Sequence, residues 1–310
     1  IGSSYMFGLK PGDTVTAISL NYNDKNVGTD KAITLSAISV TDGNGGGNYN
    51  ITFANDNTSS ITRLGSVMWI GGTTGDWSDP ANWAGGAIPD LANVANVVIP
   101  NGVTPRFGSN VAGPVDIDSL TGGNFQIDSG TLNVADDATL DDYTQNGGIF
   151  NVGGNFSFNH ATVNDGTLGV TGNASNGMFT QNGGTVGVGG NMDVTDFEQL
   201  GGTLGIGGRL DVTNSFYQSP NGTIDVIGDV DINHTTGDLT IGNLSGHNVR
   251  FNSTNGGVHL GDINAGGTLD VTAGNGDINQ LPGRQIIVSG TSTFDATGDI
   301  TLGNPGNDFV

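Results

Sequence analysis

Gly130-Thr131-Leu132-Asn133-Val134, Gly148-Ile149-Phe150-Asn151-Val152, Gly166-Thr167-Leu168-Gly169-Val170, Gly184-Thr185-Val186-Gly187-Val188 and Gly202-Thr203-Leu204-Gly205-Ile206 start 18 residues apart. Gly222-Thr223-Ile224-Asp225-Val226 follows at 20. In each segment two apolar residues flank one small or polar residue, the period by which a strand sends alternate side chains to one face. A second apolar patch follows each, as in Phe156/Phe158, Met192/Val194, Leu210/Val212 and Val230/Ile232. A third carries the column Tyr143, Phe179, Phe197, Tyr217, with Ala161 in the rung between. Each repeat therefore holds three short strands parted by Gly, Asn or Asp corners. Segments of five or six residues at this glycine density do not support helices. Eighteen residues over three sides close one coil, and equivalent positions in successive coils stack about 4.8 Å apart.

The repeat predicts an all-β chain whose residues 101–310 form a right-handed parallel β-helix with three short strands per coil of 18–20 residues. A propeller would need repeats of roughly 40 residues, and a leucine-rich repeat would need helical text on one side. From about residue 233 the spacing loosens, yet Gly237-Asp238-Leu239, Gly267-Thr268-Leu269 and Gly298-Asp299-Ile300 continue it. About eleven coils give a rod on the order of 50 Å.

Composition agrees. Of 310 residues 55 are Gly and none is Cys, and 30 acidic residues face 8 Lys plus Arg. Only Glu198 among the acids is a glutamate. Good helix formers are scarce. A net charge of −22 argues against nucleic acid or an anionic membrane surface as partner, since both need a cationic footprint. No run approaches the roughly 20 apolar residues of a membrane span. Without cysteine there are neither disulfides nor thiolate metal sites. The chain starts without a charged-then-apolar leader, so we read it as a processed product or a piece of something longer.

Two further stretches precede the repeats. Residues 1–64 hold four of the eight cations, and Val15–Leu20 and Ala32–Val40 alternate as half-buried strands do. Turn clusters at Asn23-Asp24-Lys25-Asn26 and Asp42–Gly47 separate them. A small β-sandwich is expected there. Residues 65–100 contain Trp69, Trp77 and Trp83, all the tryptophans of the chain. This segment is expected to cap or link the open end of the β-stack; exposed rings would alternatively stack on sugars.

Candidate site residues fall in columns. Asn155, Asn173 and Asn191 recur every 18 residues, and stacked corner Asn can satisfy one another's amides and tolerate left-handed backbone. Arg209 and Asp229 then break that ladder. The aromatic column Tyr143, Phe179, Phe197 reads as packing. His160, His234, His247 and His259 share no column, and no nucleophile elbow or phosphate loop occurs. No catalytic residue and no cofactor are predicted. Outward pairs such as Asp229/Asp231, Asp193/Asp211 and Asp136/Asp137 read first as a solvated acidic surface and second as weak Ca²⁺ sites of unassigned ligands.

The text also resembles a family. Gly298-Asp299-Ile300-Thr301-Leu302 and Asn304-Pro305-Gly306-Asn307-Asp308-Phe309, with the Gly-Asp-Ile-Asn and Gly-Thr-Leu-Asp-Val text before them, look like coils of filamentous-haemagglutinin-type adhesins. The Trp69-Ile70-Gly71-Gly72 to Trp83 stretch looks like the opening of β-helical passenger segments in similar surface proteins. Residues 12–62, with Leu20-Asn21-Tyr22-Asn23 and Gly47-Asn48-Tyr49-Asn50-Ile51, are similar to the YDG or MBG-type β-modules strung along such adhesins. That resemblance implies a secreted bacterial exoprotein used for attachment and biofilm building, typically exported by two-partner secretion. Its Asn-Pro-Asn-rich secretion domain is not in this text.

The reading expected is a non-catalytic structural and adhesive rod, which neighbouring copies or further repeats extend and extracellular polysaccharide or cell-surface glycan contacts. Two rivals stand beside it. One is a carbohydrate-binding or polysaccharide-cleaving β-helix, and the other a self-assembling filament or surface-layer subunit.

Overall fold

The computed structural model describes residues 8–53 and 56–310, and they divide into two compact units, 1–63 and 64–310. In the first, β1 (Thr14–Tyr22), β2 (Gly28–Thr41) and β3 (Asp56–Ile61) form one antiparallel sheet in the order β1-β2-β3. Asn23–Asn26 closes the β1–β2 hairpin: Asp24 accepts from the Asn26 N–H at 2.8 Å and pairs with Lys31. The expected sandwich is thus a single layer among the described residues. Ile33 and Val40 are its buried apolar residues, because its alternating strands offer one apolar stripe and no second sheet to receive it. Residues 1–7 and 54–55 of the expected module lie outside the described residues.

The second unit is a parallel β-solenoid of about 11 turns. Thr131–Val134 pairs in parallel with Ile149–Val152, which pairs with Thr167–Val170, then Thr185–Val188, Gly202–Ile206 and Gly222–Val226. The Ala138–Gln145 strand bends across two faces and pairs with Phe156–Val163, 18 residues on. Each turn thus contributes to three parallel ladders, and the inward residues of all three meet in one continuous core. The glycines that open each repeat sit where the chain turns into the first ladder. Gly130, Gly148, Gly166, Gly184 and Gly202 have φ between 68° and 90°, a left-handed conformation that costs glycine little.

The solenoid starts earlier than the repeat text. Leu64–Met68 pairs with Val94–Ile99, and Thr74–Asp76 with Thr104–Phe107, all parallel. Residues 64–93 are therefore its first turn and Val94–Ile99 opens the second, so 65–100 is no separate linking segment. The 18-residue period fails to mark this turn because it carries an insertion, the tight turns Pro80–Asn82 and Ala84–Gly86. Asp79 caps the first of them, accepting from the Ala81 N–H at 2.9 Å, as a side-chain oxygen does for orphan donors.

Candidate functional site

Trp69, Trp77 and Trp83 are 0–1% exposed. Trp83 meets Trp69 at 5.1 Å and Trp77 at 4.8 Å, both edge-to-face, and Trp77 continues onto Phe107 and Phe125 at 5.5 Å each. The indole N–H groups donate to Gly72 O, Pro89 O and Trp77 O respectively. Rings so buried and so bonded have no face for a sugar. They fill the interior of the first turns.

The aromatic column continues along the same interior. Phe179 and Phe197 stack at 5.8 Å with planes 22° apart, and Phe197 and Phe216 at 5.1 Å and 9°. Phe216, and not Tyr217, occupies the next rung. Between Val194 and Asp196 the register slips by one residue: Val194 faces Val212, while Asp196 faces Ser215. That extra residue sends Phe216 inward and leaves Tyr217 43% exposed, because one added residue reverses the faces of a strand. Below, Tyr143 pairs with Ala161, and Tyr143 packs on Phe150 and Phe156 at 5.1 and 5.3 Å.

A second interior column was not recognised in the sequence. Gln145, Gln181, Gln199 and Gln218 are fully buried. Gln199 Nε2 donates to Gln181 Oε1 and Gln218 Nε2 to Gln199 Oε1, both at 3.0 Å. Their amides also donate to backbone carbonyls one turn on: Thr167, Thr203, Thr223 and Asn243. Buried amides cost little only when satisfied, and here each is tied to the next coil. The signal was present as Gln145, Gln181 and Gln199 at multiples of 18, but Val163 interrupts it.

At the corners the Asn ladder exists with a different bond. Asn155 Oδ1 accepts from the Asn173 backbone N–H at 3.0 Å, and Asn173 Oδ1 from the Asn191 N–H at 2.8 Å. Asp137 starts the series beneath Asn155 at 2.7 Å, and Asn191 passes it to the Arg209 N–H at 3.0 Å. Side chain thus bonds backbone, so Asp serves as well as Asn. Asp229 resumes the series, accepting from the Asn248 N–H at 3.1 Å, and that bond holds its carboxyl below the usual carboxylate range. Amide-to-amide ladders of the expected kind occur elsewhere: Asn146, Asn164 and Asn182 above Asp128, at 2.7, 2.8 and 2.6 Å.

We expect Asn173→Ala to lower stability by about 1 kcal/mol, the worth of one neutral hydrogen bond. Asn173→Asp, which keeps the acceptor, stays within a few tenths of the parent. Urea midpoints of the three proteins measure the difference. Equal losses for Ala and Asp would contradict the acceptor role.

With 30 acids against 8 Lys plus Arg, a minority of the outward acids pair with cations. Arg209 lies 3.0 Å from both Asp193 and Asp211, Arg250 is 3.2 Å from Asp231, and Arg284 is 2.8 Å from Asp262. Asp193, Asp211 and Asp231 stack in one ladder. Desolvation raises the Asp211 carboxyl, Arg209 draws it back, and Asp231 and Asp193 push it up again. Among the described residues no group of three or more His, Cys, Asp or Glu is placed to hold a metal ion. The histidines scatter as expected: His160 and His247 contact Asp142 and Asp229 on the surface, at 2.8 and 3.3 Å. His234 is buried and accepts from the Phe216 N–H at 3.1 Å.

These columns are built for holding coil to coil. A YDG domain profile matches residues 3–59. The YDG match covers the antiparallel unit, and a second profile, described as repeats of unknown function, matches residues 246–310, the last turns of the solenoid. The chain thus joins a YDG module to a repeat solenoid. No curated protein and no solved structure matches the chain.

Proposed function

We propose that the chain is a non-catalytic structural and adhesive segment of a secreted bacterial surface or biofilm-matrix protein, of the filamentous-haemagglutinin-like kind. One observation carries this reading. The ordered polar side chains of the solenoid, at the Asn corners, in the Gln column and in Arg–Asp pairs such as Arg209–Asp193, are bonded to the turn above or below. Polar groups so committed stiffen a strut, and a reactive centre needs groups left free and tuned. The YDG match beside a repeat solenoid fits the same role.

In this reading the rod presents weak contacts in number, to neighbouring copies, further repeats or extracellular glycan, and the avidity of an array does the holding. The net charge of −22 keeps a strand-rich surface dispersed. The test compares the chain coupled in many copies to beads with the same chain free in solution, on surfaces coated with bacterial matrix polysaccharide. Retention of beads should exceed that of monomer by about 10²–10⁴, with no reducing ends released. Reducing ends appearing in proportion to protein would make it a glycan-cleaving enzyme instead, and concentration-dependent fibres under negative stain would make it a filament subunit.

A further inference from the structure

The flank of the first turns holds a concavity of about 160 Å³. Asp76, Ser78, Arg106, Ser109, Asn110 and Ser129 converge on it. None of these six makes a side-chain hydrogen bond or ion pair among the described residues. That sets the place apart from the ladders, where polar side chains are bonded. The contrast is sharpest for the arginines. Arg209, Arg250 and Arg284 each pair with an aspartate. Arg106 stands in register beside Asp76 on one side and Gln126 on the other and pairs with neither.

The arrangement is rigid for a reason visible in the strand period. Trp77 and Phe107 point inward, fully buried and 5.5 Å apart. Their chain neighbours Asp76, Ser78 and Arg106 therefore point outward, into the concavity, and Gly108 lines it with bare backbone. Asp128 forms a wall: its Oδ1 accepts from Gln126 at 2.6 Å and from Asn146 at 2.7 Å, which leaves the second oxygen unused.

A ligand for this place must supply donors to carboxylates and an acceptor to a guanidinium, side by side. A vicinal diol does both, one hydroxyl donating to an aspartate while its neighbour accepts from arginine. Two aspartates against one arginine, in a chain of net charge −22, disfavour an anionic group. The volume lies below the roughly 300–1,000 Å³ of a usual small-molecule pocket, so one ring enters, as the end or branch of a longer chain. We propose that this pocket binds a single neutral pyranose ring of a glycan, with Arg106 and Asp76 clasping a vicinal diol. The site is separate from the ladders, so its failure would leave the strut reading intact.

Titration of the full chain with the methyl pyranosides of glucose, galactose and mannose, followed by saturation-transfer NMR, tests it. At least one should bind, and Arg106→Gln should weaken that binding tenfold or more. Gly108→Leu should abolish it by filling the pocket: a Cβ there meets only Asp128 Cβ at 3.9 Å and Ser129 Oγ at 4.0 Å, so the fold tolerates it. Arg209→Gln, outside the pocket, should bind as the parent does. Unchanged tryptophan emission shows that each variant is folded. Three outcomes overturn the proposal: none of the three glycosides binds, binding survives both pocket variants, or methyl galacturonide binds more tightly than methyl galactoside.

Discussion

Phe197→Ala should destabilise the middle of the solenoid by about 3–5 kcal/mol, the range for emptying a buried phenylalanine site. Phe197 is 2% exposed and stacked on both faces, against Phe179 at 5.8 Å and Phe216 at 5.1 Å. Truncation therefore removes two aromatic contacts and leaves a void that ladder hydrogen bonds above and below prevent from closing. The loss should be local, since each coil of a solenoid rests on its neighbours alone. Hydrogen exchange would read it directly, with protection falling across residues 174–218 and holding in the first turns. Tryptophan emission supplies the contrast, because all three indoles lie in the first turn and should keep their parent midpoint. A uniform fall in protection along the whole chain would show that the turns unfold as one body.

Much of this architecture was legible because the repeat is a direct image of the coil. The Gly130 to Gly202 series, spaced by 18, marks the left-handed turn into the first ladder, and the alternation after it names the inward residues. The Asn155, Asn173, Asn191 column was found on spacing alone, but spacing does not say which atom bonds. The structure uses Oδ1 against backbone N–H, and that is why Asp137 and Asp229 belong to the series.

What was missed shares one cause: a column becomes invisible when the period is interrupted. One inserted residue before Ser215 moved the aromatic position from Tyr217 to Phe216. Val163 hid the buried glutamines, and the insertion around Pro80–Asn82 hid the first turn. The tryptophans show a further limit. Their clustering in sequence suits a surface platform and a packed plug equally, and only the inward direction of Trp77 between outward Asp76 and Ser78 decides for the plug. The sugar-binding expectation moves from those rings to the polar residues that flank them.

Gly122→Ala should do comparable damage near the start of the unit. Gly122 ends the strand Ser119–Gly122 with φ +125° and lies between Ile99 and Leu140 in the parallel ladder. A Cβ built there falls 1.7 Å from the Ile99 carbonyl oxygen, well inside contact distance. That oxygen is backbone, so no rotamer can yield, and it already accepts from the Gly123 N–H at 2.8 Å. The alanine must therefore move the strand, losing that bond as well as bearing the positive φ. Strain of about 1–3 kcal/mol and a hydrogen bond worth about 1 kcal/mol add to roughly 3 kcal/mol. The turn holding Trp69, Trp77 and Trp83 should then detach first. Indole emission should shift red at a lower urea concentration than the far-ultraviolet circular dichroism of the remaining coils, the reverse of the order expected for Phe197→Ala. If both probes moved together for Gly122→Ala, or if the variant matched the parent, the close packing of Gly122 on Ile99 would not be what seats the first turn on the rest.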